Sequence, residues 1–521
     1  MDGYANLSAL KRQCSVKWAQ GALLMWINDG DKNTNFFHAL TRICAYANHI
    51  SQVVDSNGNT CCEHEHIEQA FLHYYKNLWT TLNNTSVGIL DALPTALPCL
   101  SATKSDMLCR EVSRDEVYHT ISALLAGKSP GPDGFNSKFF TKFWPIIGDQ
   151  TDTMNTPRML IKLDIEKAYD TIDWNAILAI ISCMNFPDHW ISWVSTCLQS
   201  CSFSLLINGS LSPWFSSSRG VRQGDPISSY LFILVSQTLT HMLNISFSIN
   251  MIHGFNPNLS NNFNHLMYAD DLILITQGSR KAARSVNLCL DLYSKLTSQC
   301  PNLSKSHIYF PSWYNKHVSN RICSILNLKA ASIPFKYLGV LISPKRIASS
   351  AFMHIVDKIS LTYKRCSNFH LSPTAKTVLI KSTILSIPTY TLSVYLIPDG
   401  ILSVITKVVR KFFWSRDSNG KGIHNVSWNV INEGKTEEGI GIRNLALAKY
   451  SLMAKHVFKY LNNDDAIWVN ILKLKYGDIN FWKNSTLANC SWIFHSIFRT
   501  DDRIKPFCRI NSVNVNCTSL N

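Results

Sequence analysis

Three aspartates stand where apolar strands end. In HLMYADDLILIT, His265 to Thr276, two apolar segments flank the adjacent pair Asp270 and Asp271. In MLIKLDIEKAYD, Met159 to Asp170, an apolar strand runs into Asp164, with Tyr169 five residues on. A hairpin fits the first segment, with the acid pair at its tip. Presenting two adjacent carboxylates between buried flanks is costly unless a cation neutralises them. Laid side by side, the two strands would bring Asp164 next to Asp270. Three clustered carboxylates suit two Mg²⁺ ions, hard cations that take oxygen ligands. Two metals at such a site activate an attacking 3′-hydroxyl and stabilise a leaving pyrophosphate in an in-line displacement. An Asp-Asp pair alone is more often a solvated turn. The second strand, ending in Asp164, moves the reading to metal chemistry.

The elements around these residues read as α+β. Residues 159–163 form the strand before Asp164, and 173–184 suit a helix. Residues 202–208 and 214–218 read as strands joined by a turn at Asn208-Gly209. A helix is expected over 226–243, paired strands over 264–276 and a further helix over 279–298. Upstream, residues 1–50 read as helical with a polar break at Asn28 to Asp31. Residues 51–60 read as a strand with an Asn-Gly turn, and 64–79 as a helix carrying Ile67, Phe71, Tyr74, Tyr75 and Leu78. Ser113 with Glu116 three residues later is a helix-capping signal for 113–126, and a Gly/Pro loop follows at 128–135. Beyond about residue 350 come long helices rich in Lys, Arg and aromatics, at 351–369, 373–386, 399–414 and 445–461.

Composition narrows the partners. Apolar residues make up 46% of the 521 and charged residues 16%, a globular balance. A net charge of +15 favours a polyanionic partner, because neutralising phosphates releases counterions. Sixteen cysteines include no C-x-x-C pair, which disfavours a zinc ribbon or a thioredoxin-like site. CCEHEH at 61–66 is too cramped for a tetrahedral zinc site. The N-terminus lacks a signal peptide's apolar core, and no run of eighteen apolar residues implies a membrane span. An intracellular setting, nuclear or cytoplasmic, is expected.

With these blocks in view, the sequence resembles a known family. YADD at 268–271 is similar to the central motif of reverse transcriptases, and the surrounding blocks resemble the plant LINE-type, non-LTR retrotransposon enzymes. Those blocks are WINDGDKNTNFFH at 26–38, KSPGPDGF at 128–135, LDIEKAYDTIDW at 163–174, GVRQGDPISSYLFIL at 220–234, PFKYLGV at 334–340 and SIPTY at 386–390. The resemblance runs from about residue 15 to 480. It implies a right-hand polymerase palm, an antiparallel sheet with packed helices, followed by an α-helical thumb, with truncated fingers. The implied domains are an N-terminal linker helix and strand region at 1–60, a helical pre-palm region with partial fingers at 61–158, the palm at 159–345, a helical thumb or connection at 346–465 and a C-terminal tail at 466–521.

The resemblance also implies roles. Asp164, Asp270, Asp271 and the backbone carbonyl of Ile165 would hold two Mg²⁺ ions, with Mn²⁺ as the alternative. Tyr169 would sit under the incoming sugar and exclude a 2′-hydroxyl, selecting dNTP. Gln223 and Gly224 would line the nucleotide, with Arg222 reaching a phosphate. Lys305 would protonate the leaving pyrophosphate, sound chemistry for a positioned acid. Phe335, Tyr337, Leu338 and Gly339 fall in a segment resembling the primer grip. Lys376, Lys381, Lys407, Arg410 and Lys411 would face the duplex, so the partners are an RNA template, a DNA primer and dNTP.

One departure bears on activity. Phe143 to Asp149 is followed by QTDTMNTPR and then at once by Met159, where the family places its finger block. That block carries the basic residues that clamp the triphosphate. No endonuclease region is expected before residue 15, and no zinc knuckle or RNase H region after 480. Three functions stand: an RNA-directed DNA polymerase weakened by the deletion, a catalytically inactive relic that only binds nucleic acid, and a maturase-like RNA-binding splicing factor. Blocks 26–38 and 334–340 disfavour the last.

Overall fold

The computed structural model describes residues 46, 48–80, 88, 97–109, 158–254, 264–343, 346–367, 371–415, 426–434, 439–462 and 467–476, with short stretches at 494, 496–497, 508–510 and 515–517. The 26–38 block, the helix expected over 113–126, the Gly/Pro loop at 128–135 and the junction at 149–157 lie outside them. The chain divides into two compact units. One comprises 1–128, 160–308 and 315–329, and the other 129–159, 309–314 and 330–521.

The first unit opens with a small hairpin, β1 (Val53–Val54) and β2 (Thr60–Cys61), then helix α1 (His64–Leu78) and α2 (Ala102–Cys109). Strand β3 (Arg158–Asp164) leads through α3 (Ala168–Thr171) to α4 (Trp174–Cys183) and α5 (Asp188–Gln199). Asp173 caps α4 by accepting from the Ala176 N–H at 3.1 Å. Four two-residue strands follow: β4 (Ser202–Phe203), β5 (Leu206–Ile207), β6 (Ser210–Leu211) and β7 (Phe215–Ser216). They form one interrupted hairpin, β4 with β7 and β5 with β6. The expected strands over 202–208 and 214–218 are therefore broken. The cause is local, because the Ser212 hydroxyl accepts from Leu205 N–H at 2.9 Å and replaces a ladder bond. The Asn208-Gly209 turn forms as expected, both residues at positive φ (50° and 93°), as a type I′ turn requires.

Helix α6 (Pro226–Ser248) starts at a proline capped by Asp225. By length and composition it could cross a membrane, yet Leu231, Phe232, Val235, Leu239 and Leu243 are buried. It packs against α4 and against α7 (Arg280–Thr297), so it is a core helix. Strands β8 (His265–Tyr268) and β9 (Asp271–Gln277) make an antiparallel hairpin. With β10 (His307–Tyr309) and β11 (Lys329–Ala331) the main sheet runs β11-β10-β3-β9-β8. Leu160, Ile161 and Leu163 of β3 and Leu272 to Ile275 of β9 form its buried centre. Helix α8 (Lys316–Leu326) packs on α7.

The second unit contains the hairpin β12 (Phe335–Tyr337) and β13 (Val340–Ile342). Its helices are α9 (Met353–Ser367), α10 (Pro373–Leu379), α11 (Ser386–Leu392), α12 (Asp399–Trp414), α13 (Trp428–Asn432), α14 (Leu445–Leu461) and α15 (Ile467–Tyr476). The single helix expected over 373–386 is α10 followed by a π-helical turn at Ile380–Ile384 and then α11. A short strand pair, β14 (Cys508–Ile510) with β15 (Val515–Cys517), completes it.

Candidate active site

Strand β3 and the β8–β9 turn bring the three aspartates to one place. The hairpin closes through Tyr268 opposite Asp271, leaving Ala269 and Asp270 as a two-residue turn. Ala269 takes a φ of 51°, a left-handed position that glycine usually fills. The Ile165 N–H donates to the Asp270 carbonyl at 2.9 Å, which fixes the end of β3 beside the turn. The 300–306 loop pins Asp164 on both sides. The Asn302 N–H donates to the Asp164 carbonyl at 2.7 Å, and the Asp164 N–H donates to the buried Ser306 hydroxyl at 3.0 Å. Backbone bonds thus set where the carboxylate projects.

Two lysines meet two of the carboxylates. Lys305 Nζ lies 3.6 Å from Asp164 Oδ2, and Lys162 Nζ lies 3.9 Å from Asp271 Oδ1. Asp270 is exposed. Burial pushes the Asp271 carboxyl up to about 6; Lys162 opposes that rise, while the charges of Asp270 and Asp164 add to it. The donors are all oxygen, and burial disfavours the ionised form of Asp271, which a bound cation would favour. Both features fit a divalent cation. Among the described residues, however, no three Asp, Glu, His or Cys side chains already enclose a metal position. Asp164 and Asp271 are instead paired with lysines.

Tyr169 lies on α3 and stacks on Phe232 of α6, ring centroids 5.1 Å apart and planes 11° apart. Its phenol is pushed up by burial and then by the Asp270 charge, so the ring is near the acid turn. The Tyr169 carbonyl accepts from Val221 N–H at 2.7 Å, tying the ring's segment to the 219–225 loop. That loop is tightly built. Gly220 sits at a φ of 86°, and a Cβ there would meet the Asp170 carbonyl oxygen at 2.8 Å. Trp174 Nε1 donates to the Gly220 carbonyl at 2.6 Å. Beyond it Arg222, Gln223 and Gly224 are exposed, Gly224 at a φ of 95° with open space around it. A cavity of about 440 Å³ opens behind this loop, lined in part by Trp79, Asp170, Trp174, Arg219 and Gln223. The three aspartates are not among its walls.

The hairpin resembling a primer grip forms in the second unit. Its turn residues Leu338 and Gly339 both take positive φ, 44° and 80°. Phe335 is buried against Tyr309 with ring centroids 4.2 Å apart, and Tyr337 is 1% exposed. Those two side chains are core, whereas Lys336 and Gly339 are exposed and Leu338 is half-buried. Tyr390 holds the turn, its hydroxyl donating to the Leu338 carbonyl at 2.7 Å. Of the basic residues expected on the duplex, Lys376 is buried and donates to the Ser415 carbonyl and hydroxyl. Lys381 donates to the Ile440 carbonyl at 2.5 Å, and Arg410 lies over the Trp428 ring. Lys407 and Lys411 are exposed. Near residue 61, Cys61 and Cys62 are unpaired thiols, while His64 and His66 pair with Glu68 and Glu63.

Lys162 was not among the residues expected at the site. The signal was present, because residues two apart on a strand share a face and Lys162 precedes Asp164 by two.

The family of reverse transcriptases (RNA-dependent DNA polymerases) matches residues 118–342. A ribonuclease H protein of Arabidopsis thaliana is 27% identical over 132 residues, covering 25% of this chain and 21% of that protein. The transposon TX1 149 kDa protein of Xenopus laevis is 20% identical over 561 aligned positions, covering 88% of this chain and 42% of that protein. The retrovirus-related Pol polyprotein of the type-2 retrotransposable element R2DM of Drosophila melanogaster is 28% identical over 118 residues, 23% of this chain and 10% of the polyprotein. The chain spans less than half the length of each of these relatives. It carries a reverse transcriptase domain, and it has relatives named as transposon and retrotransposon proteins.

Proposed function

We propose that this chain is the polymerase portion of a LINE-type, non-LTR retrotransposon protein of plant type, and that its palm extends a DNA primer on an RNA template. The reaction is attack of the primer 3′-hydroxyl on the α-phosphate of a dNTP, with pyrophosphate leaving. The observation that carries this reading is the Ile165 to Asp270 backbone bond, which joins the end of β3 to the acid turn inside a reverse transcriptase domain.

Asp164, Asp270, Asp271 and the Ile165 carbonyl would hold two Mg²⁺ ions. When bound, such ions supply charge stabilisation to the attacking and leaving oxygens. The chain's own residues do the rest. The 300–306 loop orients Asp164, and Phe232 orients the Tyr169 ring, which excludes a ribose 2′-hydroxyl by bulk. Lys305, held beside Asp164, gives its proton to the leaving pyrophosphate. The backbone at Gly224, with no Cβ and open space around it, admits the nucleotide or template closely. The turn at Leu338 and Gly339, with Gly339 exposed, holds the primer terminus.

Loss of the finger block weakens this chemistry, since clamping the triphosphate supplies both positioning and charge stabilisation. The same loss favours a second reading, a relic that binds RNA without copying it. Primer extension on an RNA template separates the two. Weak extension that disappears in Asp270→Ala supports the polymerase. No extension, with salt-sensitive RNA binding retained, supports the relic.

A further inference from the structure

We propose that Lys162 is a built-in counter-cation of the metal-free palm, holding Asp271 in place until a divalent ion displaces it. This rests on the reading of the aspartates as metal ligands. Lys162 lies within β3 and shares a strand face with the buried Leu160 and with Asp164, while the buried Ile161 and Leu163 face the other way. An ammonium in such a setting is costly to desolvate and persists where it is paired. Its partner is Asp271, at 3.9 Å, and both side chains are largely enclosed, 18% and 17% exposed.

The second lysine of the site provides the contrast. Lys305 lies slightly closer to its carboxylate, 3.6 Å from Asp164, but is 66% exposed. Water and salt screen that pair, so its contribution is small. Lys162 is largely enclosed, so its charge on Asp271 is screened less. Together, the charges around the turn are two ammoniums against three carboxylates, Asp164, Asp270 and Asp271. One negative charge is left over, and a cation bound to the Asp271 carboxylate would lie beside the Lys162 ammonium and be repelled by it. Ion binding and the Lys162 contact then compete electrostatically at one carboxylate. Lys162 is a positioning residue that stabilises the empty palm and weakens metal affinity.

A merely structural ion pair makes the opposite prediction for affinity, because losing it would loosen Asp271 and weaken metal binding. The test uses the full chain with Mn²⁺ as the probe, free Mn²⁺ being read by electron paramagnetic resonance, and thermal unfolding in EDTA. Lys162→Met is expected to tighten Mn²⁺ binding roughly tenfold, the equivalent of one charged contact. It is also expected to lower the unfolding temperature in EDTA. Lys162→Arg keeps both at the wild-type level, and Lys305→Met changes affinity less than Lys162→Met does. Unchanged or weaker Mn²⁺ binding in Lys162→Met, with the wild type binding normally, overturns the role of Lys162 alone. Absence of any Mn²⁺ site in the wild type overturns the metal reading of the palm, and this proposal with it. Should Lys162→Met fail to fold in EDTA, either Mn²⁺ or the added Asp271→Asn change must restore it. Failure of both overturns the proposal.

Discussion

Replacing Asp271 with asparagine is expected to stabilise the metal-free chain. The Asp271 carboxyl is raised from 3.8 to about 6, chiefly by burial. At 1.36 kcal/mol per pKa unit, ionising it in the folded protein costs at most about 3 kcal/mol relative to the unfolded chain, and solvent around the partly enclosed carboxyl reduces this to roughly half. Asparagine copies the size and shape of the protonated acid, so the variant escapes that cost. The lost Lys162 pairing is already contained in the figure, because the protonated acid lacks it too. The gain has a defined pH window. A carboxyl whose folded pKa lies above its unfolded value binds the proton more tightly in the native state. Below about pH 4 both states are protonated and the variant gains nothing. The gap opens between about pH 4 and 6, and it is full above that. Urea unfolding of the two proteins in EDTA, at pH 4 and 7.5, reads it directly. Asp270→Asn is the control, since Asp270 is exposed and its neutralisation relieves less. Added Mg²⁺ should narrow the gap by stabilising the wild type. An Asp271→Asn variant no more stable than wild type at pH 7.5 would refute the reasoning, as would a gap independent of pH.

Further perturbations test the surrounding structure. Gly220→Ala places a Cβ 2.8 Å from the Asp170 carbonyl at a left-handed φ, and it should lower stability by about 2 kcal/mol in urea titration. An unchanged midpoint would count against the tight loop. Tyr169→Ala should relax discrimination against ribonucleotides in primer extension, and unaltered use of rNTP would remove its gating role. Lys376→Met should destabilise the chain while leaving RNA affinity intact, whereas Lys407→Ala with Lys411→Ala should weaken binding and flatten its salt dependence. Equal effects of both on RNA affinity, read by filter binding across salt concentrations, would contradict the internal placement of Lys376.

Sequence patterning located the parts whose period is strong. The acid hairpin, the strand into Asp164 and the helices at 399–414 and 445–461 follow from apolar runs and helical spacing long enough to be unambiguous. Other parts depend on partners far away in sequence. Strands β10 to β13 are three residues each, too short to show an alternation, and they are defined by pairing. Helix α5 escaped because Pro187 and the exposed Trp193 mask its apolar stripe, and α8 because its polar residues outnumber its buried ones. The π turn at Ile380–Ile384 leaves no mark on a 3.6-residue period. At the site, spacing anticipated that the end of β3 lies beside the acid turn but not the lysines near Asp164 and Asp271. Lys376 shows the limit in the other direction, because a lysine on a helix reads as solvated whether it reaches water or, as here, a buried serine.

RNA-templated primer extension by the purified full chain, with wild type compared against Asp164→Ala, Asp270→Ala and Asp271→Ala, tests the central claim most directly. The expected result is slow extension in Mg²⁺, limited by poor dNTP capture, and abolished in all three variants. Extension that persists in any of the three would contradict the assignment of the acid turn and the end of β3 as the centre of the reaction.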